Sequence, residues 1–366
     1  VGARFQRARG KRHVENVPPQ LRPTPKKTLT GDQIIELTVP FQVETYPHFF
    51  PFRPAPSAVW RLSDPATGAS ATIAPEFGCN CFDWKAGPAG QTPLLYADPQ
   101  VFPDGRPTRS GIPVLFPYPN RIRGGKFTWE GVKYQLPLSD STGLHSIHGF
   151  ACRRPWRVLA SGANEISAWL TAEFHCAVDS PENLASWPAD HLLQLTFRLG
   201  ANVLRLEAVV KNPSTRSLPF GLGFHPYFHR PSPQTLVQAP ARAFWELHDN
   251  LPTGKVLPVN PSRDLNSPRP AGELQLDDVL TELPGDRANA EGLLFRGQIG
   301  QLELWTSPAF RELVAFTPPH RQAVCLEPYT CTTDAANLAT QGIDGGWLTL
   351  GPGLDWSGVF EMVVKE

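Results

Sequence analysis

Residues 192–199 read LLQLTFRL and residues 203–210 read VLRLEAVV, and only Gly200-Ala201-Asn202 stands between them. Both runs alternate apolar and polar side chains with a period of two, which gives a strand one buried and one wet face. Two such runs joined by three turn-forming residues predict an antiparallel hairpin. KFTWEGVKYQL repeats the design, with Glu130-Gly131 at the turn, and the pattern continues through AWLTAEFHCAV and QLELWTS to GVFEMVV. Forty prolines in 366 residues oppose long helices, because each removes a backbone donor and clashes with the preceding turn. Two short helical turns are expected: one after Ser180, with Pro181 at the first helical position, and one from Thr333-Asp334 to Gly342. No linker-like break follows residue 35, and no period of 20 to 50 residues marks a repeat architecture. The expected class is all-β, a single large sandwich of antiparallel sheets over residues 32–366.

Charge narrows the partners. Thirty-four Lys and Arg balance 34 Asp and Glu, so no overall field draws the chain to nucleic acid or to an anionic membrane. A neutral small molecule suits that balance. No apolar run reaches the length of a membrane span, and residues 1–30 lack the apolar centre of a secretory signal, which points to the cytoplasm. Residues 1–31 carry eight basic side chains against Glu15 and four prolines, the composition of a solvated tail. Six scattered cysteines are expected as reduced, buried thiols, and Cys79-Asn80-Cys81 alone offers too few ligands for a metal site.

Three stretches combine polar side chains with turn formers in a way a plain core does not need. PVLFPYPNRIRGGKF (113–127) presents Asn120 and Arg121 between a proline-rich entry and a glycine exit, where an amide and a guanidinium can bond hydroxyls or merely satisfy backbone carbonyls. SIHGFACRRPW (146–156) sets His148 before a glycine. CLEPYT (325–330) puts Glu327 at the end of an apolar strand, where a carboxylate is costly unless paired or used, and where burial lifts its pKa toward that of a working base. In GFHPYF (223–228), aromatic residues wall His225 from water, either as a satisfied core histidine or as a proton carrier.

PNRIRGGKF followed by GVKYQL, then HGFA, GFHPYF, LDDVL, LEPYT and LGPG occur in an order that resembles the aldose 1-epimerase (galactose mutarotase-like) family, from about Ser70 to the C-terminus. The resemblance implies a large β-supersandwich, no cofactor or metal, and interconversion of the α and β anomers of an aldose by a monomer or homodimer. It implies His225 as the acid that protonates the ring oxygen and Glu327 as the base that takes the anomeric hydroxyl proton. Arg121, His148, Asn120 and Asp277 match positions that bind the sugar, with Asp278 competing with Asp277.

GIPVLFPYP and HGFACRR are also similar to a branch of the family acting on hexose 6-phosphates, in which Arg153 and Arg154 would hold phosphate; the same two arginines read equally as strand-end surface charges. Two readings from other classes stand beside these. A glycoside hydrolase would pair Glu327 with Asp277 and leave His225 idle. A non-catalytic carbohydrate-binding sandwich would need neither acid nor base.

Overall fold

The structure, a computed structural model, describes residues 40–50, 53–87, 90, 92–97 and 107–365; the basic tail expected at 1–31 lies outside the described residues. Three antiparallel sheets carry the fold. The largest has nine strands, the second eight and the third, formed by residues 42–93, five.

The hairpin expected at residues 192–210 is the spine of the nine-stranded sheet. Leu192–Leu199 pairs with Val203–Lys211 from Leu199↔Leu204 to Leu192↔Lys211. Leu193, Leu195, Phe197 and Leu199 on one strand, and Leu204, Leu206, Ala208 and Val210 on the other, are buried, so the alternation reads directly as an inner face. The C-terminal strand Asp355–Val364 then inserts between Val203–Lys211 and Leu302–Thr306, joining early and late parts of the chain in one sheet. The inward side chains of all three sheets meet in a single core, with Trp84 and Ile73 from the five-stranded sheet, Phe197 and Phe360 from the nine-stranded sheet, and Leu313 and Leu326 from the eight-stranded sheet.

Lys126–Trp129 and Val132–Gln135 form the second expected hairpin, and Glu130 and Gly131 both take positive φ at its tip. That geometry matches the twist of the flanking strands. Both helical turns are present, as Pro181–Leu184 and Ala335–Thr340. One boundary differs from the sequence reading. The AWLTAEFHCAV strand stops at His175, and Cys176–Asp179 coils into a helical turn, because Asp179 accepts a hydrogen bond from the His175 amide at 2.7 Å and Asp190 accepts one from Ala177 at 3.1 Å.

The eight-stranded sheet differs in kind from the large one. Its strand Ala323–Tyr329 is buried at every residue. Val324 and Leu326 point into the main core, whereas Ala323, Cys325, Glu327 and Tyr329 share the opposite face. That second face carries two smaller apolar clusters of its own, and it is where His225 meets Glu327.

Candidate active site

Strand register places the first pair. Gly223 pairs with Tyr329 and Tyr227 with Cys325, so His225, midway between Gly223 and Tyr227, stands opposite Glu327, midway between Cys325 and Tyr329. Pro226 has no amide hydrogen to give the ladder, and the strand is interrupted there. His225 Nδ1 lies 3.3 Å from Glu327 Oε1, with the histidine 7% and the glutamate 1% exposed. Burial pushes His225 down to about 3 and holds Glu327 well above the usual carboxylate range, with the nearby Asp277 charge adding to the latter. Both directions favour a pair with no net charge.

Tyrosines flank the pair. Tyr329 donates its hydroxyl to Glu327 Oε2, and Tyr227 stacks on the His225 ring with centroids 4.6 Å apart. From the sequence Tyr227 is expected only as an aromatic wall beside His225, and Tyr329 is not singled out. Each lies two residues beyond a singled-out partner, and on an extended strand that spacing puts it on the same face.

Two strained loop positions bring in the next residues. Asn120 (φ 52°) and His148 (φ 66°) sit in the left-handed region, and the His148 amide donates to the Asn120 carbonyl at 2.9 Å. Non-glycine residues persist there only where their surroundings hold them. Gly149 follows because a Cβ at that point would fall 2.2 Å from the Phe116 carbonyl oxygen. The His148 ring meets His225 edge-on at 5.6 Å. Burial holds His148 well below the ordinary histidine range, and His225, Arg121 and Arg153 reinforce the effect.

Arg121 pairs by its backbone with Ile147 and donates its guanidinium to Asn120 Oδ1 at 3.2 Å. Its Nε lies 3.9 Å from Asp140, a loop carboxylate with no motif to announce it. Asp334 ties down the same loop from beneath, accepting a hydrogen bond from the Arg123 amide at 2.9 Å.

The choice between the two aspartates follows from parity. Asp277 aligns with Phe316, which aligns with Cys325, so it shares the face of Glu327. Asp278 points the other way and is held by Arg263 at 2.6 Å. Asp277 is exposed at the rim; partial desolvation raises its pKa and the Arg121 charge opposes that rise. The two arginines after the His-Gly pair also part company. Arg154 is bound to Glu182, while Arg153 donates to the Ser139 carbonyl and acts electrostatically on His148.

Among the described residues, His225, Cys325 and Glu327 are the one trio whose ligand-type atoms lie within 4.8 Å of one another. Burial pushes the Cys325 thiol up and keeps it protonated, which opposes capture of a soft metal at neutral pH. All six cysteines are buried and free.

The chain matches the model of the family described as Aldose 1-epimerase over residues 59–362. It belongs to the aldose 1-epimerase family. The match includes every residue of the site above. Two curated relatives from Escherichia coli (strain K12) are similar over shorter stretches. The uncharacterized protein YphB is 31% identical over 43% of this chain and 50% of its own length, and the uncharacterized protein YihR is 34% identical over 31% and 34%. The chain thus spans about half and about a third of these relatives. Among solved structures, a galactose mutarotase-like protein from Clostridium acetobutylicum superposes with a TM-score of 0.74 at 21% identity, covering 89% of this chain and 99% of that one. The galactose 1-epimerase of Lactobacillus acidophilus superposes with a TM-score of 0.70 at 15% identity, covering 89% and 98%. At these identities the shared property is the fold, the galactose mutarotase-like β-sandwich.

Proposed function

We infer that this protein is an aldose 1-epimerase that interconverts the α and β anomers of a hexose, with Glu327 as base and His225 as acid. The observation that carries the reading is the buried His225–Glu327 pair, 3.3 Å apart, on a face that also bears Arg121, His148 and Asp277. Mutarotation requires one proton removed from the C1 hydroxyl and one delivered to the ring oxygen, so one base and one acid suffice. Glu327 takes the hydroxyl proton as the bond from C1 to the ring oxygen breaks, and His225 protonates that oxygen. The open-chain aldehyde turns about its C1–C2 bond. Reclosure on the other face reverses both transfers and returns the two side chains to their starting forms.

The surrounding groups suit a polyhydroxylated ligand. Arg121 and Asn120 offer donors, Asp277 offers an acceptor at the rim, and the aromatic rings of Tyr227 and Phe316 line the site as apolar walls. A glycoside hydrolase reading is weaker, because it gives no role to a buried histidine in contact with its carboxylate. A binding module has no use for the matched pair.

Polarimetry of freshly dissolved α-D-glucose and α-D-galactose tests the proposal. The wild type should speed the approach to anomeric equilibrium, and Glu327→Gln should lose roughly 10²- to 10⁴-fold of that acceleration while remaining folded. Rates equal to the protein-free control on both sugars would exclude free hexoses. Arg153 supports one second reading, a hexose 6-phosphate substrate, since its guanidinium lies near His148 and makes no ion pair among the described residues. Acceleration with glucose 6-phosphate that is lost in Arg153→Ala would establish it, and no acceleration on either substrate would refute the epimerase assignment.

A further inference from the structure

The proton count around the catalytic pair goes beyond the assignment of acid and base. Tyr227 has one hydroxyl proton. It donates that proton to the Thr108 carbonyl at 2.8 Å, and a carbonyl oxygen can only accept. The same hydroxyl oxygen lies 3.3 Å from His225 Nε2. With its own proton committed, Tyr227 meets His225 only as an acceptor, so the hydrogen on that line belongs to Nε2. A neutral imidazole with a hydrogen on Nε2 has a bare lone pair on Nδ1. In keeping with this, Nδ1 is buried and accepts no protein hydrogen bond, and it faces Glu327 Oε1 at 3.3 Å. On the far side, the Tyr329 hydroxyl is donated to Glu327 Oε2. That leaves Oε1 as the oxygen directed at the histidine.

We propose that Tyr227 and Tyr329 are positioning residues that confine the one mobile proton of the pair: Tyr227 fixes His225 as its Nε2–H tautomer, Tyr329 occupies Glu327 Oε2, and the proton travels only between Oε1 and Nδ1. This deepens the epimerase reading and rests on it for its catalytic meaning, though not for the tautomer itself. Beside the fixed Nε2 hydrogen the pair holds a single mobile proton, so it exists either as carboxylic acid with imidazole or as carboxylate with imidazolium, both without net charge. Transfer from Oε1 to Nδ1 forms the N–H bond as the O–H bond breaks, and it produces the base and the acid together. No other proton source is needed. Ring opening takes a proton onto Glu327 and gives one from His225, and reclosure returns both, so the pair ends each turnover in the form in which it began.

Other groups near the pair do not disturb this count. His148 meets His225 ring to ring and is held in its neutral form by burial, the Cys325 thiol is kept protonated by burial, Phe316 is apolar, and Arg109 and Asp277 act on Tyr227 with opposite signs. The Tyr227 ring supports His225 by stacking whether or not it carries a hydroxyl. Tyr227→Phe therefore removes the tautomer lock and keeps the packing.

The test has two independent readouts. In wild-type protein carrying ¹⁵N-labelled histidine at pH 7, with His225 assigned by the signals lost in His225→Gln, Nε2 should show a directly bonded proton and Nδ1 the signature of a bare ring nitrogen. In Tyr227→Phe the two tautomers should mix. Kinetically, Tyr227→Phe and Tyr329→Phe should each lower kcat roughly tenfold or more, the effect of losing one buried hydrogen bond to a working group, with KM within about twofold because neither hydroxyl needs to touch the sugar. A wild-type His225 with its proton on Nδ1, or a Tyr227→Phe spectrum unchanged from wild type, would overturn the proposal. An Nε2–H tautomer in a protein that epimerises no sugar would sustain the lock and sink the functional reading instead.

Discussion

Replacing Glu312 by glutamine should change how stability depends on pH, by an amount the structure supplies. Glu312 is fully buried, faces Tyr329 across the sheet, and accepts a hydrogen bond from the Trp245 indole at 3.1 Å. The cation beside it among the described residues, Arg311, stands 3.5 Å away, is 44% exposed and is shared with Asp344. Burial therefore prevails, and the carboxyl is pushed up to about 7 from an ordinary 4.5. Between those values the folded protein binds a proton that the unfolded chain has released, so stability is full below about pH 4.5 and falls as pH rises through 7. At about 1.4 kcal/mol for each pH unit of separation, the loss is about 3 kcal/mol. Glutamine keeps the size and the oxygen that Trp245 bonds, but has no charge to bury. Urea unfolding of both proteins at pH 5, 6, 7 and 8 isolates this one group, because every other titration is common to the two. The difference in stability should shift by about 2.5 kcal/mol in favour of Glu312→Gln between pH 5 and pH 8, most of the full loss. Parallel curves, with a shift below about 0.5 kcal/mol, would refute the claim that burial outweighs Arg311.

Three further substitutions probe other parts of the argument. Gly149→Ala places a Cβ against the Phe116 backbone at a positive φ, and should cost about 2–4 kcal/mol in chemical denaturation. Leu206→Ala opens a cavity between Phe197 and Phe360 at the centre of the large sheet, and about 2–5 kcal/mol of stability should go with it while near-neutral activity per folded molecule is retained. Arg121→Lys gives up the planar fork that bonds Asn120 and reaches toward Asp140, so KM for the sugar should rise roughly tenfold with a smaller effect on kcat. An unchanged KM would remove Arg121 from the sugar site.

The sequence made some of this legible for plain reasons. A half-buried strand announces itself by alternation, so the hairpin at 192–211 and the turn at Glu130-Gly131 could be placed to within a residue or two. The Ala323–Tyr329 strand could not be read that way, because it is buried on both faces and its residues do not alternate. Side-chain parity was the missing step. It separates Asp277 from Asp278, and it would have drawn Tyr227 and Tyr329 to the site from their spacing to His225 and Glu327. Asp140 and Glu312 gave no such signal. The first reaches Arg121 from a loop whose path no local pattern fixes, and the second is a lone glutamate whose burial depends on a tryptophan 67 residues away.

The double burial of that strand also explains why the site is placed there. An acid–base pair needs low dielectric to shift its protons, yet burying ionisable groups within a main core would leave them beyond the reach of substrate. The Ala323–Tyr329 strand meets both demands by putting Val324 and Leu326 into the core and Cys325, Glu327 and Tyr329 on a second face. Register then fixes the chemistry. A one-residue slip of this strand would turn Glu327 into the core and present Leu326 or Pro328 to His225, so the pairings of Val314 with Glu327 and Tyr227 with Cys325 are conditions of the proposed activity as much as of the fold. Pro226 completes the arrangement. By withholding an amide from the ladder beside His225, it interrupts regular pairing at the point where the imidazole must answer to Glu327 and a ligand.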